Sequence, residues 1–120
     1  MADHSSVVSI HPYFKIHEGK EEEVKALLPA FVAKVEKEDA ALYYNFTLNG
    51  DQLFCREGYT GAAGALAHVE NVSGELDQLF ELVEITRIEI HGPAEELEKL
   101  KEPFAPLNPT WWDYQCGLTA

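Results

Sequence analysis

Leu42-Tyr43-Tyr44-Asn45-Phe46-Thr47-Leu48 and Leu53-Phe54-Cys55-Arg56-Glu57-Gly58-Tyr59, separated by Asn49-Gly50-Asp51-Gln52, decide the fold. Both runs are rich in aromatic and β-favouring residues and the four between them supply turn chemistry, so the stretch reads as a β-hairpin. Upstream, Val8, Ile10, Phe14 and Ile16 alternate with Ser9, His11, Tyr13 and Lys15, the two-residue period of a half-buried strand over residues 7–16. Pro12 interrupts it, and a residue without an N–H marks an edge or a bulge. Between this strand and the hairpin, Val24, Leu27, Leu28, Phe31, Val32 and Val35 form a helical stripe that begins near Lys20. Glu21, Glu22 and Glu23 suit the positive end of that helix. Pro29 predicts a kink, since the stripe keeps its phase on both sides.

Downstream of the hairpin, Thr60 offers an N-cap for a short helix from Gly61 to about Val69, and Ser73 offers one for a second helix carrying Leu76, Leu79, Phe80 and Val83. Residues 85–91 alternate again, with Ile88 and Ile90 opposed to Arg87, Glu89 and His91. Gly92-Pro93 then opens a short helix with Leu97 and Leu100, expected to end before Pro103. Pro103, Pro106 and Pro109 predict an extended arm, and Thr110-Trp111-Trp112-Asp113-Tyr114-Gln115-Cys116 a fifth strand. The order β-α-β-β-α-α-β, before these additions, is the split βαβ pattern of an α+β ferredoxin-like sandwich with an antiparallel sheet. Helices then cover one sheet face, and the bare face is either solvated or a dimer contact.

The 120 residues, 46% hydrophobic and 25% charged, describe one globular domain, 1–120, with a core over 7–102 and a C-terminal arm and strand over 103–120. Twenty-one acidic against nine basic side chains give a net charge of −12, which repels nucleic acid and anionic membrane surfaces. Cys55 and Cys116 form no CxxC motif and no disulfide framework, and Met1–Ser6 has no basic region leading into an apolar one. The expected setting is the cytoplasm.

With the apolar residues facing the helices, the bare sheet face presents His11, Tyr13 and Lys15, together with Arg87, Glu89 and His91. The parity of the third strand is open, because Leu53, Cys55, Glu57 and Tyr59 oppose Phe54, Arg56 and Gly58. If Glu57 and Tyr59 share a face with His11 and His91, three strands bring titratable and aromatic groups to one surface. The plain alternative is a polar face meeting water. His11, His91 and Glu57 are the conceivable set for zinc or ferrous iron, although no HxH or HxxxH pair supports it and no metal is expected. His4 and His17 carry no argument. No GxSxG elbow or phosphate loop is present.

The segment Leu53-Phe54-Cys55-Arg56-Glu57-Gly58-Tyr59-Thr60-Gly61-Ala62-Ala63-Gly64-Ala65-Leu66-Ala67-His68 resembles the antibiotic biosynthesis monooxygenase (ABM) type of dimeric α/β barrel. Glu57 and Tyr59 match that family's strand ending in Glu-x-Tyr, and Ala65-Leu66-Ala67-His68 is similar to its helix ending in Ala-Leu-x-x-His, with one residue in place of two between Leu66 and His68. Gly19-Lys20-Glu21-Glu22-Glu23-Val24 is similar to the family's usual opening of the first helix. The resemblance spans roughly residues 7–91. It implies a homodimer with its open sheets face to face, a C-terminal element crossing to the partner, and a cavity either between each sheet and its helices or inside the barrel. It also implies oxygenation of a small apolar, aromatic or polycyclic molecule without a bound cofactor. His68 and Gln78 stand near where the haem-degrading branch carries Trp and His, which disfavours haem cleavage.

On this resemblance His68 is the catalytic base, with Glu57 beside it, and Tyr13 or Tyr59 orients the substrate, with His11 and His91 as further lining residues. Each has a structural alternative. His68 can close the helix end or bond Glu57, and Glu57 can serve in an ion pair or as a cap acceptor. The tyrosines can be amphipathic packing, and Trp111 and Trp112 buried dimer surface. A non-catalytic ligand-binding or stress-associated dimer is the rival function.

Overall fold

The computed structural model describes residues 5–118, so His4 and most of the Met1–Ser6 leader reading lie outside or at the edge of the described residues. The elements run β1 (Val7–Ile16), α1 (Glu21–Val35), β2 (Ala41–Asn49), β3 (Gln52–Thr60), α2 (Gly61–Asn71), α3 (Ser73–Phe80), β4 (Val83–Gly92), α4 (Ala94–Phe104) and β5 (Thr110–Asp113). The sheet order is β2-β3-β1-β4-β5. The first four strands pair antiparallel and β5 pairs parallel with β4, so the ferredoxin-like sheet is mixed rather than purely antiparallel.

Two bulges set which side chains look at the helices. In β2 the register shifts between Ala41 and Tyr43, leaving Leu42 exposed and turning Tyr44 and Phe46 inward, opposite Glu57 and Cys55. In the β1–β4 pair it shifts between Tyr13 and Phe14, and the Thr86 hydroxyl donates to the Tyr13 carbonyl at 3.2 Å. Pro12 sits in a central strand, where the β1–β3 ladder skips His11 and Pro12. Gly50, at φ 60°, makes the tight turn between β2 and β3.

Helix α1 runs through Pro29 without ending, as the unbroken phase of its stripe requires. Other helix ends differ from expectation. Neither Thr60 nor Ser73 caps its helix through a side chain. At α2 the work is done from a distance: Gly61 adopts φ 72°, and the Ala62 N–H donates to Glu96 Oε1 of α4 at 2.8 Å. A carboxylate at a helix start satisfies an orphan donor and meets the positive end of the dipole.

Helix α4 continues through Pro103 to Phe104, and Pro106 falls in a 3₁₀ turn, Ala105–Leu107. The predicted extended arm is therefore mostly helical, because burial of Leu97, Leu100 and Phe104 outweighs the proline's missing bond. Its strand β5 lies on β4, and the Tyr114 N–H donates to the Gly92 carbonyl at 2.7 Å.

The core on the helix side forms two clusters. One joins Val8, Ile10, Tyr59, Ile90, Leu97 and Leu100 beneath α2 and α4. The other joins Phe14, Val24, Phe31, Leu53, Val72 and Leu79 beneath α1 and α3. Among the described residues no helix is long and apolar enough to cross a membrane. Leu100 is fully buried; its replacement by Ala is expected to lower the unfolding free energy by about 2–5 kcal/mol in urea titrations. A loss well under 1 kcal/mol would contradict its place in the core.

Candidate functional site

Strand parity settles the position left open by the sequence. Leu53, Cys55, Glu57 and Tyr59 all point at the helices, each 5% exposed or less. Side chains at i and i+2 share a face, so Leu53 cannot enter the core without carrying Glu57 with it. Glu57 and Tyr59 are thus on the opposite face from His11, Tyr13 and His91. The single surface uniting them does not form, and neither does the His11, His91 and Glu57 metal set. Gly58 takes the bare face because the Tyr43 ring covers it: a Cβ there would lie 2.4 Å from that ring.

Helix α2 brings His68 down to Glu57. Its buried stripe is Ala62, Gly64, Ala65 and His68, and these small residues let the helix lie close to the sheet. At Gly64 an added Cβ would come within 2.8 Å of Ala40 Cβ. His68 Nε2 lies 3.4 Å from Glu57 Oε1, and Nδ1 lies 3.0 Å from Glu38 Oε2. The Tyr59 hydroxyl donates to Glu57 Oε1 at 2.7 Å, and the Asn71 side-chain amide donates to Glu38 Oε2 at 2.8 Å. The rings of Tyr44 and Tyr59 flank His68, with centroids 5.1 Å and 4.8 Å away.

Burial raises the pKa of Glu57 above the usual carboxyl range, against the pull of His68, Tyr59 and Cys55. Burial likewise pushes up the Tyr44 and Tyr59 hydroxyls and the Cys55 thiol, with the Glu57 carboxylate adding to each. A thiol held protonated is a poor nucleophile. The working groups are therefore a strongly basic carboxylate, or its neutral acid, and the imidazole against it. These can take up or give a proton.

Glu57 and His68 line a cavity of about 90 Å³ at the seam between the two core clusters. Its other walls include Ile10, Phe14, Phe31, Tyr44, Ile88 and Phe104, with partly exposed Phe80 and Leu107 at its rim. No lysine or arginine lines it. An apolar cavity of roughly 150 Å³ takes a benzene ring, so this one admits a slender group as it stands and takes ring systems when the rim formed by Phe80 and Leu107 opens. Tyr59 stands behind Glu57 and does not line the cavity. Tyr44, Cys55 and Glu38 complete the site but were not singled out from sequence. Cys55 was within reach, being two residues from Glu57 on a strand.

On the bare face His11 and His91 lie 4.6 Å apart between ring centroids, and Trp112 stacks on His91 at 5.3 Å. The Ser9 hydroxyl meets His11 Nε2 at 2.8 Å. Glu89 pairs with Arg87 and lies 3.2 Å from His91. Burial, together with neighbouring His91, lowers the pKa of His11 despite Glu89. Tyr13 packs on Phe54 at 4.7 Å. The predicted lining residues His11, His91 and Tyr13 are thus brought near one another, on the other side of the sheet from the cavity.

The crystal structure of MupZ from Pseudomonas fluorescens shares 37% identity with this chain and a TM-score of 0.92, over 100% of this chain and 94% of that one. A conserved protein from Methanosarcina mazei Go1 follows the fold at TM-score 0.69 and 16% identity, over 73% of this chain and 93% of that one. A Nitrosomonas europaea protein assigned to the antibiotic biosynthesis monooxygenases does so at 0.67 and 14%, over 78% and 96%. No family model and no curated protein matches the sequence.

The raised Glu57 value sets a pH dependence. With its folded pKa above 4.5, its contribution to stability is complete below 4.5 and is lost as pH rises through the folded value. The variant Glu57→Gln, neutral throughout, is expected to gain melting temperature relative to the native protein as pH rises across that window. Scanning fluorimetry from acid to neutral pH measures it; an offset independent of pH would refute a buried, proton-retaining Glu57.

Proposed function

From the premise that the chain belongs to one family with MupZ, on the fold of the antibiotic biosynthesis monooxygenases, we propose that it is a proton-transfer enzyme acting on a small, neutral, mostly apolar organic molecule. The observation that carries this is Glu57, a carboxyl group buried against His68 in the wall of an otherwise apolar cavity. Burial raises its basicity, and the apolar walls limit the access of water. The absence of a cationic side chain from the cavity lining favours uncharged substrates.

With dioxygen as co-substrate the reaction is oxygenation without a bound cofactor. Glu57, supported by His68, takes one proton from an activated CH₂. The carbanion passes an electron to oxygen, and the resulting radical pair joins as a peroxide. Loss of the second C–H proton breaks the O–O bond, leaving a ketone and hydroxide, and the stored proton converts that hydroxide to water. Tyr44, the cross-strand neighbour of Glu57, also lines the cavity and is placed to orient the guest from beside it. A second reading is a redox-neutral reaction in which Glu57 first donates its proton. It is favoured by the burial that raises the Glu57 pKa.

Oxygen uptake with a panel of anthrones and quinols is expected for the native protein. It should fall by about a hundredfold or more in Glu57→Gln and in His68→Ala, the usual scale for losing a general base. Anaerobic turnover of a carbon acid, followed by deuterium exchange, would select the redox-neutral reading. Dye binding without either reaction would select the non-catalytic rival.

The partner in this reading is a second copy of the chain, docked through the bare sheet face, where Tyr13, Phe54, Tyr43 and Trp112 gather. We place the protein in the reducing cytoplasm on the strength of its free cysteines, Cys55 and Cys116. Light scattering at micromolar concentration is expected to give twice the chain mass of 13.5 kDa. A single-chain mass would remove the dimer.

A further inference from the structure

Glu38 lies in the turn after α1, thirty positions from His68 in sequence, and it touches two environments at once. Its Oε2 meets His68 Nδ1 inside the protein, while the residue also borders two depressions on the outer surface, of about 230 and 540 Å³. It does not line the cavity that Glu57 lines. His68 therefore spans the wall, with one nitrogen toward each carboxylate.

We propose that Glu57, His68 and Glu38 form a proton wire through the wall of the subunit, exchanging protons between the apolar cavity and solvent on the far side of that wall. The proposal rests on the proton-transfer reading above. Glu57, having taken a proton from the bound molecule, hands it to His68 Nε2. Nδ1 gives its own proton to Glu38 Oε2, and water removes it there. The return runs the same bonds in reverse and restores the original tautomer, so a cycle of removal and return leaves all three groups unchanged. The 3.4 Å span to Nε2 is of the kind that tightens once substrate is bound.

The surroundings fit a transfer path. Tyr44 from β2 and Tyr59 from β3 face His68 with rings, and Cys55 faces Glu57. From α1, Lys34 is engaged with Glu75 of α3 at 3.0 Å. Asn71 of α2 donates both to Glu38 and to the Lys34 carbonyl, which fixes the carboxylate under the imidazole. Glu38 acts through His68 and is a positioning and relay residue.

Long-range proton–nitrogen NMR on protein labelled at histidine nitrogen reads the His68 tautomer without any substrate. The native protein is expected to carry a proton on Nδ1, Glu38→Asp to keep it, and Glu38→Gln to shift population toward Nε2. A bare Nδ1 in the native protein, or an unchanged tautomer in Glu38→Gln, overturns the wire even if the enzyme is active. With anthrone as probe, Glu38→Gln is expected to slow oxygen uptake by about tenfold, with recovery in added formate, whose small acid replaces the missing relay. Slowing that formate does not relieve marks a merely structural role and also overturns the proposal. Absence of uptake in the native protein counts against the proposed function, and the tautomer then decides the wire by itself.

Discussion

A carboxyl group on the core side of a central strand must be neutral, paired or both, because an isolated charge there is prohibitively costly. Glu57 imposes that demand, and much of the architecture answers it. Tyr59, two residues on, supplies a hydroxyl from the same strand face. Helix α2 is built from alanine and glycine along its inner stripe, so that His68 reaches the sheet. The bulge at Leu42 turns Tyr44 inward across from Glu57. Where these polar groups meet, the apolar core parts into two clusters, and the cavity lies along the division.

The frame was legible because alternation and helical spacing are local. The hairpin, the stripe from Val24 to Val35, and the strands around Ile10 and Ile88 all follow from side chains within a few positions of one another. The contact of His68 with Glu57 is the structural alternative that the sequence offered for that histidine. The facing of Glu57 was decidable from Leu53, which shares its parity. Other features depend on distant partners and leave no local trace. Glu38 sits in a turn and acquires meaning only when α2 folds over it. Glu96 replaces the cap that Thr60 advertised, from another helix altogether. Pro103 reads as a terminator until the burial of Phe104 is known.

The sheet keeps two kinds of chemistry apart. One side holds Glu57 and its partners away from water. The other holds His11, His91, Glu89 and Trp112 in half-open contacts that solvent or a second protein surface can reach. Residues of similar chemical type, His68 with Glu57 and Glu38 on one side and His11 and His91 with Glu89 on the other, thus meet different surroundings within one strand's thickness. Burial raises the pKa of Glu57 on one side and lowers that of His11 on the other.

The bond from Ala62 to Glu96 makes the tail a structural partner of the α2 start. Leu97, Leu100 and Phe104 of that same tail segment fill the space beneath the helix that carries His68. The four-strand unit is consequently not a portable module to which a C-terminal extension has been appended. Trimming or grafting beyond Gly92 removes a buttress from the imidazole, so a change in this appendage is felt at His68, some thirty residues earlier in the chain.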